Sequence, residues 1–179
     1  MADSRNKPVN KRVEATLTSI LIRHDLKGQA LTVAYSGGLD STVLLFALKS
    51  VAPVLDLHLT AVHVHHGLSE NADKWSGHCV QTCARLGIDL SVINVFVNPE
   101  LGEGIEAAAR KIRLDALLAH SSGRICMAHH ADDQAETVLH NLLRGSGLRG
   151  AGGIPVLRGC VLRPFLDLPK ESLHEYAAE

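Results

Sequence analysis

Apolar residues recur along this chain with two different spacings, and each spacing predicts one kind of secondary structure. Short apolar runs predict buried strands, whereas apolar residues at every third or fourth position predict helices with one buried face. Strands are predicted at 30–33, 57–64, within 88–97, at 124–128 and at 160–165. Helices are predicted at 10–26, from the loop after the first strand to about 50, at 69–86, at 105–117, from about 130 to 143, and from 170 onward. This alternation predicts an α/β fold with a doubly wound parallel sheet of about five strands and helices on both faces.

Local signals set the expected ends of three helices. Gly28 is expected to end the first helix and Pro53 to break the second, because glycine favours helix C-termini and proline lacks a backbone N–H. The glycine at position 87 is expected to stop the helix that begins near 69. The helix at 105–117 is expected to bury a single stripe, formed by Ile105, Ala109, Ile112 and Ala116.

The most informative stretch is Ala34–Thr42, which reads AYSGGLDST between the first strand and the second helix. A strand, a glycine turn and a helix start together form an anion site, because the first helical N–H groups have no internal partner. Ser36, Ser41 and Thr42 add hydroxyl donors, and Asp40 suits a Mg²⁺ ion that bridges the carboxylate to a phosphate. The alternative is an ordinary turn in which Asp40 and Ser41 act only as helix caps.

Two better-known phosphate loops are excluded by the residues around this turn. No lysine lies between Lys27 and Lys49, so the GxxxxGK[ST] pattern is absent. Only two adjacent glycines are present, so the GxGxxG pattern is absent as well.

A second constellation follows the fourth strand, where His129–Thr137 reads HHADDQAET. In an open parallel sheet, ligands lie beyond the carboxyl ends of the strands, so this stretch and the glycine turn can meet. Asp133 and Glu136 are three residues apart and share one helix face, where they could bind Mg²⁺, accept an amine or act as a base. Capping remains the alternative for at least one of Asp132 and Asp133.

Other candidate residues are less specific. His63 and His65 share one face of the second strand, where they could bind zinc or line the mouth of a cleft. Zinc is disfavoured because no cysteine or carboxylate stands beside them at ligand spacing. Arg110 and Arg113 lie one helical turn apart and could serve a site or form surface ion pairs. The glycine-rich stretch at 142–155 could be a linker or a loop that folds over phosphates.

Composition narrows the class of protein. The 179 residues suffice for one α/β domain, and 46% hydrophobic with only 3% aromatic residues implies a core of Leu, Val, Ile and Ala. No apolar run approaches the roughly 20 residues of a membrane span. Four scattered cysteines argue against a disulfide scaffold and favour the cytoplasm. A net charge of −1 is unlike that of a stand-alone nucleic-acid binder.

Six strings, in order, carry a resemblance to a known family: SGGLDS, HVHHGLS, EAAARKIRLDAL, AHHADDQAET, LLRGSGLRG and RPFLDLPKESL. The first resembles the pyrophosphatase (PP) loop of the N-type ATP pyrophosphatases. Together they resemble the tRNA(Ile)-lysidine synthetase family, from about Leu31 onward. The resemblance implies a Rossmann-like fold of the adenine nucleotide α-hydrolase type. It also implies ATP-dependent ligation of lysine to the wobble cytidine of tRNA(Ile) with a CAU anticodon. This reaction would pass through an adenylated tRNA and release AMP and pyrophosphate.

The resemblance also implies residue roles. It implies ATP binding by Ser36, Gly37, Gly38, Leu39, Asp40, Ser41, His65, Arg144 and Gly145, with Gly147 in the same loop. It implies catalytic roles for Asp40, Arg110, Arg113, Asp133 and Glu136, lysine binding by Asp133 and Glu136, and Mg²⁺ at Asp40. His129 and Asp132 match the same motif without a defined role.

The implied cofactors are ATP and Mg²⁺, and the implied partners are tRNA(Ile) and L-lysine, with no membrane and with a homodimer left open. We expect a tail and helix at 1–29 and a PP-loop catalytic domain at 30–179. We expect this domain to be truncated at its C-terminus, because the last helix has no C-cap signal and the family's tRNA-binding regions are missing. Tyr35 departs from the family, which has a small residue before the serine. Its ring could narrow the loop or point into the core.

Two rival functions remain open. One is another PP-loop enzyme that modifies tRNA or forms amides, although the cysteine spacings of the sulfur-transfer enzymes are absent. The other is an ATP-binding fragment without catalysis, which predicts ATP binding without turnover.

Overall fold

A computed structural model describes residues 9–65, 72–96, 105–121, 123–145 and 152–179. The helices are α1 (Val9–Arg23), α2 (Leu39–Leu55), α3 (Ala72–Leu86), α4 (Ile105–His120), α5 (Ala131–Leu143) and α6 (Lys170–Ala178). The strands are β1 (Ala30–Ala34), β2 (His58–His65), β3 (Asp89–Asn94), β4 (Arg124–Cys126), β5 (Leu157–Arg158) and β6 (Val161–Leu162). The predicted α/β alternation is confirmed.

The strands form one sheet in the order β3-β2-β1-β4-β6-β5. All neighbouring pairs are parallel except β5 and β6. Helices cover both faces, because successive strand residues point to opposite sides. On one face, α1, α2, α3 and α6 share a large core with alternate residues of β1 such as Leu31 and Val33. On the other, Leu117 of α4 packs against Val62 and Ile125.

The sheet edge beyond β4 differs from the expectation of a fully parallel sheet. The strand predicted at 160–165 is only Val161–Leu162, and β5 pairs with it in antiparallel orientation. A strand of two residues has no periodicity to detect, so the sequence pattern could not predict β5. Within the described residues, the sheet therefore has six strands, and the edge beyond β4 is a short hairpin.

The expected break at Pro53 is wrong, because α2 continues through it to Leu55. Pro53 is exposed in the last turn, whereas Val51, Ala52 and Leu55 around it are buried. The backbone of Asp56, at φ 53°, ends the helix with its N–H bonded to the Ala52 carbonyl. Burial of the neighbouring side chains outweighs the local cost of proline in this turn.

The expected end of the first helix is also wrong. α1 ends at Arg23, and the residue that turns the chain is Asp25, at φ 56°, rather than Gly28. The Leu26 N–H bonds to the Leu21 carbonyl at 3.0 Å, which is a Schellman ending with an aspartate in the usual glycine position. This ending directs Leu26 into the core, where it is fully buried.

The buried stripe predicted for α4 is only partly found. In the described part of this helix the buried side chain is Leu117, while Ala109, Ile112 and Ala116 are half-buried. The side chain of Ile105 lies outside the described residues. The cluster around Leu117 is small, so residues one turn away from it are incompletely covered.

The strand order fixes where a ligand can bind. The chain leaves β1 toward α2 on one face and reaches β4 from α4 on the other, so the connections diverge between β1 and β4. A crevice opens at such a switch point, beyond the carboxyl ends of the two strands. The turn after β1 and the start of α5 after β4 both border this crevice.

Candidate active site

The glycine turn after β1 exposes the start of α2. Gly38 is the N-cap residue and provides no side-chain cap, so the first backbone N–H groups of α2 keep no capping partner. The first N–H bonded within the helix is that of Thr42, to the Gly38 carbonyl at 3.0 Å. Because these N–H groups and the helix dipole both favour negative charge, the turn can bind a phosphate.

Gly37 is required at its position for two reasons. Its φ is +84°, a left-handed conformation that side chains other than glycine rarely adopt. A Cβ there would lie 2.9 Å from Cys79 Sγ and 3.4 Å from an indole carbon of Trp75, both on α3. The turn is therefore pressed directly against one face of α3.

Hydroxyl groups brace the turn from inside. The hydroxyls of Ser41 and Thr42 donate to the Gly38 carbonyl at 3.0 and 2.9 Å. Ser36 Oγ lies 3.0 Å from Ser41 Oγ and also accepts the Gly38 N–H at 3.3 Å. These bonds occupy the Ser41 and Thr42 hydroxyls within the loop, so the backbone N–H groups are its main phosphate donors in this conformation.

Tyr35 points into the core instead of narrowing the loop. Its side chain is fully buried, and its hydroxyl lies 3.4 Å from Thr42 Oγ1, to which it can donate because the Thr42 proton goes to the Gly38 carbonyl. Its backbone carbonyl lies 2.9 Å from His63 Nδ1. A carbonyl can only accept, so His63 carries its proton on Nδ1 toward this bond. His63 thereby ties the end of β2 to the residue that begins the loop.

A buried histidine joins the two constellations across the switch point. His130, the N-cap of α5, lies with Nε2 3.7 Å from Asp40 Oδ2 and with Nδ1 3.5 Å from Asp133 Oδ2. The fold thus confirms the expected meeting of the turn and the HHADDQAET stretch. Buried Asp40 Oδ1 and His130 Nδ1 have no hydrogen-bond partner within the described ranges. Buried polar atoms of this kind need a partner from outside the chain, such as a water molecule or a bound ligand.

The two aspartates at the start of α5 have different partners. Asp133 accepts the His130 backbone N–H at 2.8 Å, which caps its own helix. Asp132 accepts the Lys170 N–H at 3.3 Å and so caps α6. Capping, the alternative weighed for at least one of them, is therefore found for both. The Asp133 side chain nevertheless remains about one-third exposed toward solvent.

The amide side chain of Gln134 fixes α5 against the segment that precedes β5. It accepts the Ile154 N–H, and its own NH₂ donates to the Ile154 carbonyl at 3.0 Å. Gly153, at φ +63°, makes room for this contact, since a Cβ there would lie 2.5 Å from Gln134 Oε1. This paired bond replaces the apolar anchoring that α5 lacks.

A cleft of about 400 Å³ opens beside the turn, over the carboxyl ends of β1 and β2. Ser36 and Gly38 form one side, and His63, Val64 and His65 of β2 form the floor together with Ala34, Tyr35 and Val62. Ala72 and Trp75 of α3 and Arg113 and Leu117 of α4 complete the lining. The His65 Nε2 lies 3.0 Å from Asp73 Oδ1, which fixes its ring at the rim. The cleft has a size expected for a small-molecule site, and its lining combines apolar side chains with a few polar groups.

Several cationic groups converge near the start of α5. Burial lowers the pKa of His129, and the positive charges of Arg163 and Arg110 lower it further, although Asp133 opposes them. Burial, together with Arg158 and Arg110, also lowers the pKa of Arg163. His129 is therefore held neutral, while the arginines offer positive charge to an anion entering between α4 and α5.

Of the other predicted site residues, some lie near the cleft or the start of α5, and others lie at the opposite end of α5. Arg110 is exposed one turn before the cleft residue Arg113, and Glu136 is exposed on the first turns of α5. Arg144 and Gly145 follow the last residue of α5, about 16 Å along its axis from Asp133, and do not line the cleft. Their nucleotide role stays a prediction, and Gly147 lies outside the described residues.

Two site residues were not predicted as such, namely Trp75 and His130, whereas the alternative that His63 and His65 line the mouth of a cleft is confirmed. His130 lies within the HHADDQAET stretch, which was a usable signal. Trp75 stands in a helix, and only the packing of α3 brings it to the cleft.

Three of the four cysteines, Cys79, Cys83 and Cys126, are buried thiols. Burial raises the pKa of Cys79 and Cys83 to about 11, with Cys83 adding to the effect on Cys79, and raises that of Cys126 to about 12. Such thiols are unreactive near neutral pH. Within the part of the chain that the structure describes, no three His, Cys, Asp or Glu side chains form a metal-binding group. None of the described helices is long and apolar enough to cross a membrane.

Comparison with known proteins supports the family resemblance. The tRNA(Ile)-lysidine synthase of Alkalilimnicola ehrlichii is 53% identical over 150 residues, which cover 80% of this chain and 34% of that protein. That of Chromobacterium violaceum is 46% identical over 153 residues, covering 82% and 35%. The chain thus spans about a third of the length of the curated relatives it matches.

Solved structures agree on the fold. The U34-tRNA thiolase NcsA from Methanococcus maripaludis superposes with a TM-score of 0.78 at 18% identity, over 95% of this chain and 63% of that one. The NMN synthetase from Francisella tularensis gives 0.58 at 16% identity, over 95% and 68%. At these identities the likeness concerns the fold alone. Residues 7–179 match the family model of the PP-loop domain, and this chain therefore belongs to the PP-loop domain family.

Proposed function

We propose that this chain is the ATP-binding catalytic part of a tRNA(Ile)-lysidine synthase. The observation that carries the proposal is the contact of His130 with Asp40 on one side and Asp133 on the other. It brings a phosphate-binding turn and the Asp133 carboxylate, which suits an amine, to one crevice. The identity of 44–53% to several curated proteins of that name supports the same reading.

ATP would lie with its phosphates on the turn and its nucleoside in the 400 Å³ cleft. The N–H groups at the start of α2 would bind phosphate oxygens, and Arg113 would offset their charge from the opposite wall. Ser36, Gly37, Gly38, Leu39, Asp40, Ser41 and His65 would form the nucleotide site, joined by Arg144 and Gly145 if the loop after α5 folds over it.

A Mg²⁺ ion fits the residues at Asp40. Asp40 Oδ1 is buried and has no hydrogen-bond partner in the described parts of the chain, although its carboxylate stands next to a phosphate site. A carboxylate there would repel a phosphate unless a cation lay between them. When bound, the ion would neutralise phosphate charge and help pyrophosphate to leave.

The proposed reaction has two steps. The O2 atom of the wobble cytosine attacks the α-phosphorus of ATP, and pyrophosphate departs. The ε-amine of lysine then attacks C2 of the base, and AMP leaves with the oxygen. Arg110 and Arg113 on α4 would stabilise the charge that develops on the phosphates in the first step.

The lysine would be held at the start of α5. Asp133 accepts the His130 N–H with Oδ2, which leaves Oδ1 for an ammonium group. Glu136 lies three residues later on the same face and is exposed, so it can bind the cation and remove the proton that the amine must lose before it attacks. His129, whose pKa is lowered by burial, would remain neutral beside them.

Contacts with tRNA(Ile) carrying the CAU anticodon would come mainly from other parts of the parent protein. This chain has a net charge of −1 and spans about a third of its relatives' length. A polynucleotide ligand ordinarily needs a basic surface. We extend the proposal to a cytoplasmic enzyme that could act as a homodimer.

The test is incorporation of radiolabelled lysine into a tRNA(Ile) transcript with a CAU anticodon, by the protein at its natural length with Mg-ATP. We expect incorporation with release of AMP and pyrophosphate, and none with a CAU-to-GAU transcript. ATP binding is measured on the same preparation by calorimetry. Binding without incorporation would instead favour an ATP-binding role without catalysis, and absence of both would refute the site itself.

Asp40→Ala tests the metal assignment. We expect it to weaken Mg-ATP binding by about ten-fold or more and to remove the gain in affinity that Mg²⁺ gives the unchanged protein. Asp115→Ala, an exposed aspartate on α4, is the matched control and should bind as before. An unchanged affinity and Mg²⁺ dependence in folded Asp40→Ala would contradict the assignment.

A further inference from the structure

Trp75 is the single tryptophan of the chain, and it stands half exposed at the cleft. Its side chain is 50% exposed, although tryptophan is on average one of the more buried residues. It lines the same cleft as Ser36, Gly38 and Arg113. An exposed indole ring in a pocket offers an apolar face against which a ligand can pack.

The indole is held in place from two sides. One of its carbons lies 3.4 Å from the position that a Cβ of Gly37 would occupy, so the ring packs on the phosphate turn. His78 contacts it edge to face, with ring centroids 6.4 Å apart and planes at 88°. Cys79, one helical turn further on, is buried against the same turn and anchors this face of α3. The ring is therefore fixed before any ligand arrives.

The position of the Trp75 ring relative to the turn determines which part of a bound nucleotide can contact the ring. A nucleotide whose phosphates occupy the start of α2 must extend its base away from the turn and along the cleft. Trp75 lines this cleft where α3 packs beside the turn, and Val62, Val64 and Leu117 supply further apolar surface. A flat, apolar-faced base suits this lining, whereas a phosphate or a free ammonium does not.

We propose that Trp75 is the stacking platform for the adenine of ATP, which rests on the proposed ATP binding and adds a residue to it. Stacking of a base on an aromatic ring contributes to affinity without reading the base's hydrogen-bonding edge. Trp75 would thus strengthen nucleotide binding through the base, while the turn binds the phosphates.

The test compares ATP with inorganic tripolyphosphate, which has the phosphates but no base. In the unchanged protein, ATP should change the fluorescence contributed by Trp75, measured as the difference from Trp75→Phe, and tripolyphosphate should not. By calorimetry, Trp75→Ala should bind Mg-ATP about five- to a hundred-fold more weakly, with tripolyphosphate binding unchanged. Trp75→Phe should retain part of the ATP affinity because it keeps an aromatic face.

Val80→Ala is the matched control, since Val80 is a large apolar residue of α3 with similar exposure and is absent from the cleft lining. It should bind both ligands as the unchanged protein does. An equal loss of both ligands in Trp75→Ala would assign the ring to packing of the turn and overturn the inference. Unchanged ATP affinity in Trp75→Ala would also overturn the inference, but the proposed function would stand. Failure of the unchanged protein to bind ATP would refute both.

Discussion

The two halves of the candidate site are anchored in opposite ways. The helix that carries the phosphate turn, α2, has nine buried residues and lies at the centre of the main core. The helix that carries Asp133 and Glu136, α5, has none, and Leu139, Leu142 and Leu143 are exposed on it. The turn is therefore positioned by apolar packing, whereas α5 is positioned by a few polar bonds at its start.

The difference matters because the two halves have different tasks in the proposed reaction. A phosphate turn must keep its N–H groups aimed at one point, which a rigid core provides. The start of α5 depends on the Gln134 amide, the Asp132 bond to α6 and the His130 contact to Asp40. Polar bonds of this kind position a helix while contributing little net stability each.

The largest expected difference between α2 and α5 is in the free energy of unfolding that is lost when a leucine is replaced by alanine. Leu48→Ala in α2 removes a fully buried side chain and should lower the free energy of unfolding by about 2–5 kcal/mol. Leu142→Ala in α5, where the side chain is 58% exposed, should change it by less than about 0.5 kcal/mol. Urea unfolding of both variants measures the contrast. Equal losses would mean that α5 is covered by parts of the chain that the structure does not describe.

The next effect concerns substrate use at the start of α5. Glu136→Ala should lower kcat/KM for lysine by about ten- to a hundred-fold, since it removes a charged partner of the amine, and should leave ATP affinity within about two-fold. Glu171→Ala, at an exposed position of α6, is the control. Lysine titrations at saturating ATP, with calorimetry for ATP, make the comparison. Equal damage to lysine use and ATP binding would argue against separate roles for the two halves.

A third comparison sets two left-handed glycines against each other. Gly37→Ala should cost about 1–2 kcal/mol for the conformation, plus the contact with Cys79, and should weaken ATP binding. Gly159→Ala has φ +60° but open space around it, so it should cost about 1–2 kcal/mol and leave ATP binding unchanged. Thermal unfolding and calorimetry measure the two properties. If both variants bind ATP equally well, the turn does not need its contact with α3.

The smallest effect is a pH dependence far from the site. Burial, with Glu14 nearby, raises the pKa of Tyr176 to about 12, and its hydroxyl lies 3.4 Å from Glu14 Oε1. The unfolded chain loses this proton near pH 10, before the folded protein does, so the stability that depends on it falls as pH rises from 10 to 12.

Tyr176→Phe should therefore flatten the alkaline limb of the stability curve by less than about 1 kcal/mol, because the side chain is only partly buried and solvent screens the interaction. Urea unfolding at pH 8 and pH 11 measures the change. A wild-type curve as flat as that of the variant would show that Tyr176 titrates normally.

Much of the fold could be predicted because most elements obey their own periodicity. β1 and β2 are short, β-rich runs, and α2 and α5 start within recognisable motifs. The errors occur where the environment outweighs local preference. Pro53 is tolerated because the residues around it are buried, and Asp25 replaces Gly28 as the residue that turns the chain. β5 was missed because two residues carry no pattern.

The sequence by itself determined which ligands the two stretches SGGLDST and HHADDQAET suit. Their residue types indicate phosphates, a cation and an amine. Tertiary structure alone decided which residues meet. It joined Asp40 to Asp133 through His130, pressed Trp75 against Gly37, and left Arg144 at the far end of α5. The physical reason is that periodicity reports the face on which a residue lies, whereas a site depends on how separate strands and helices are ordered around a shared edge.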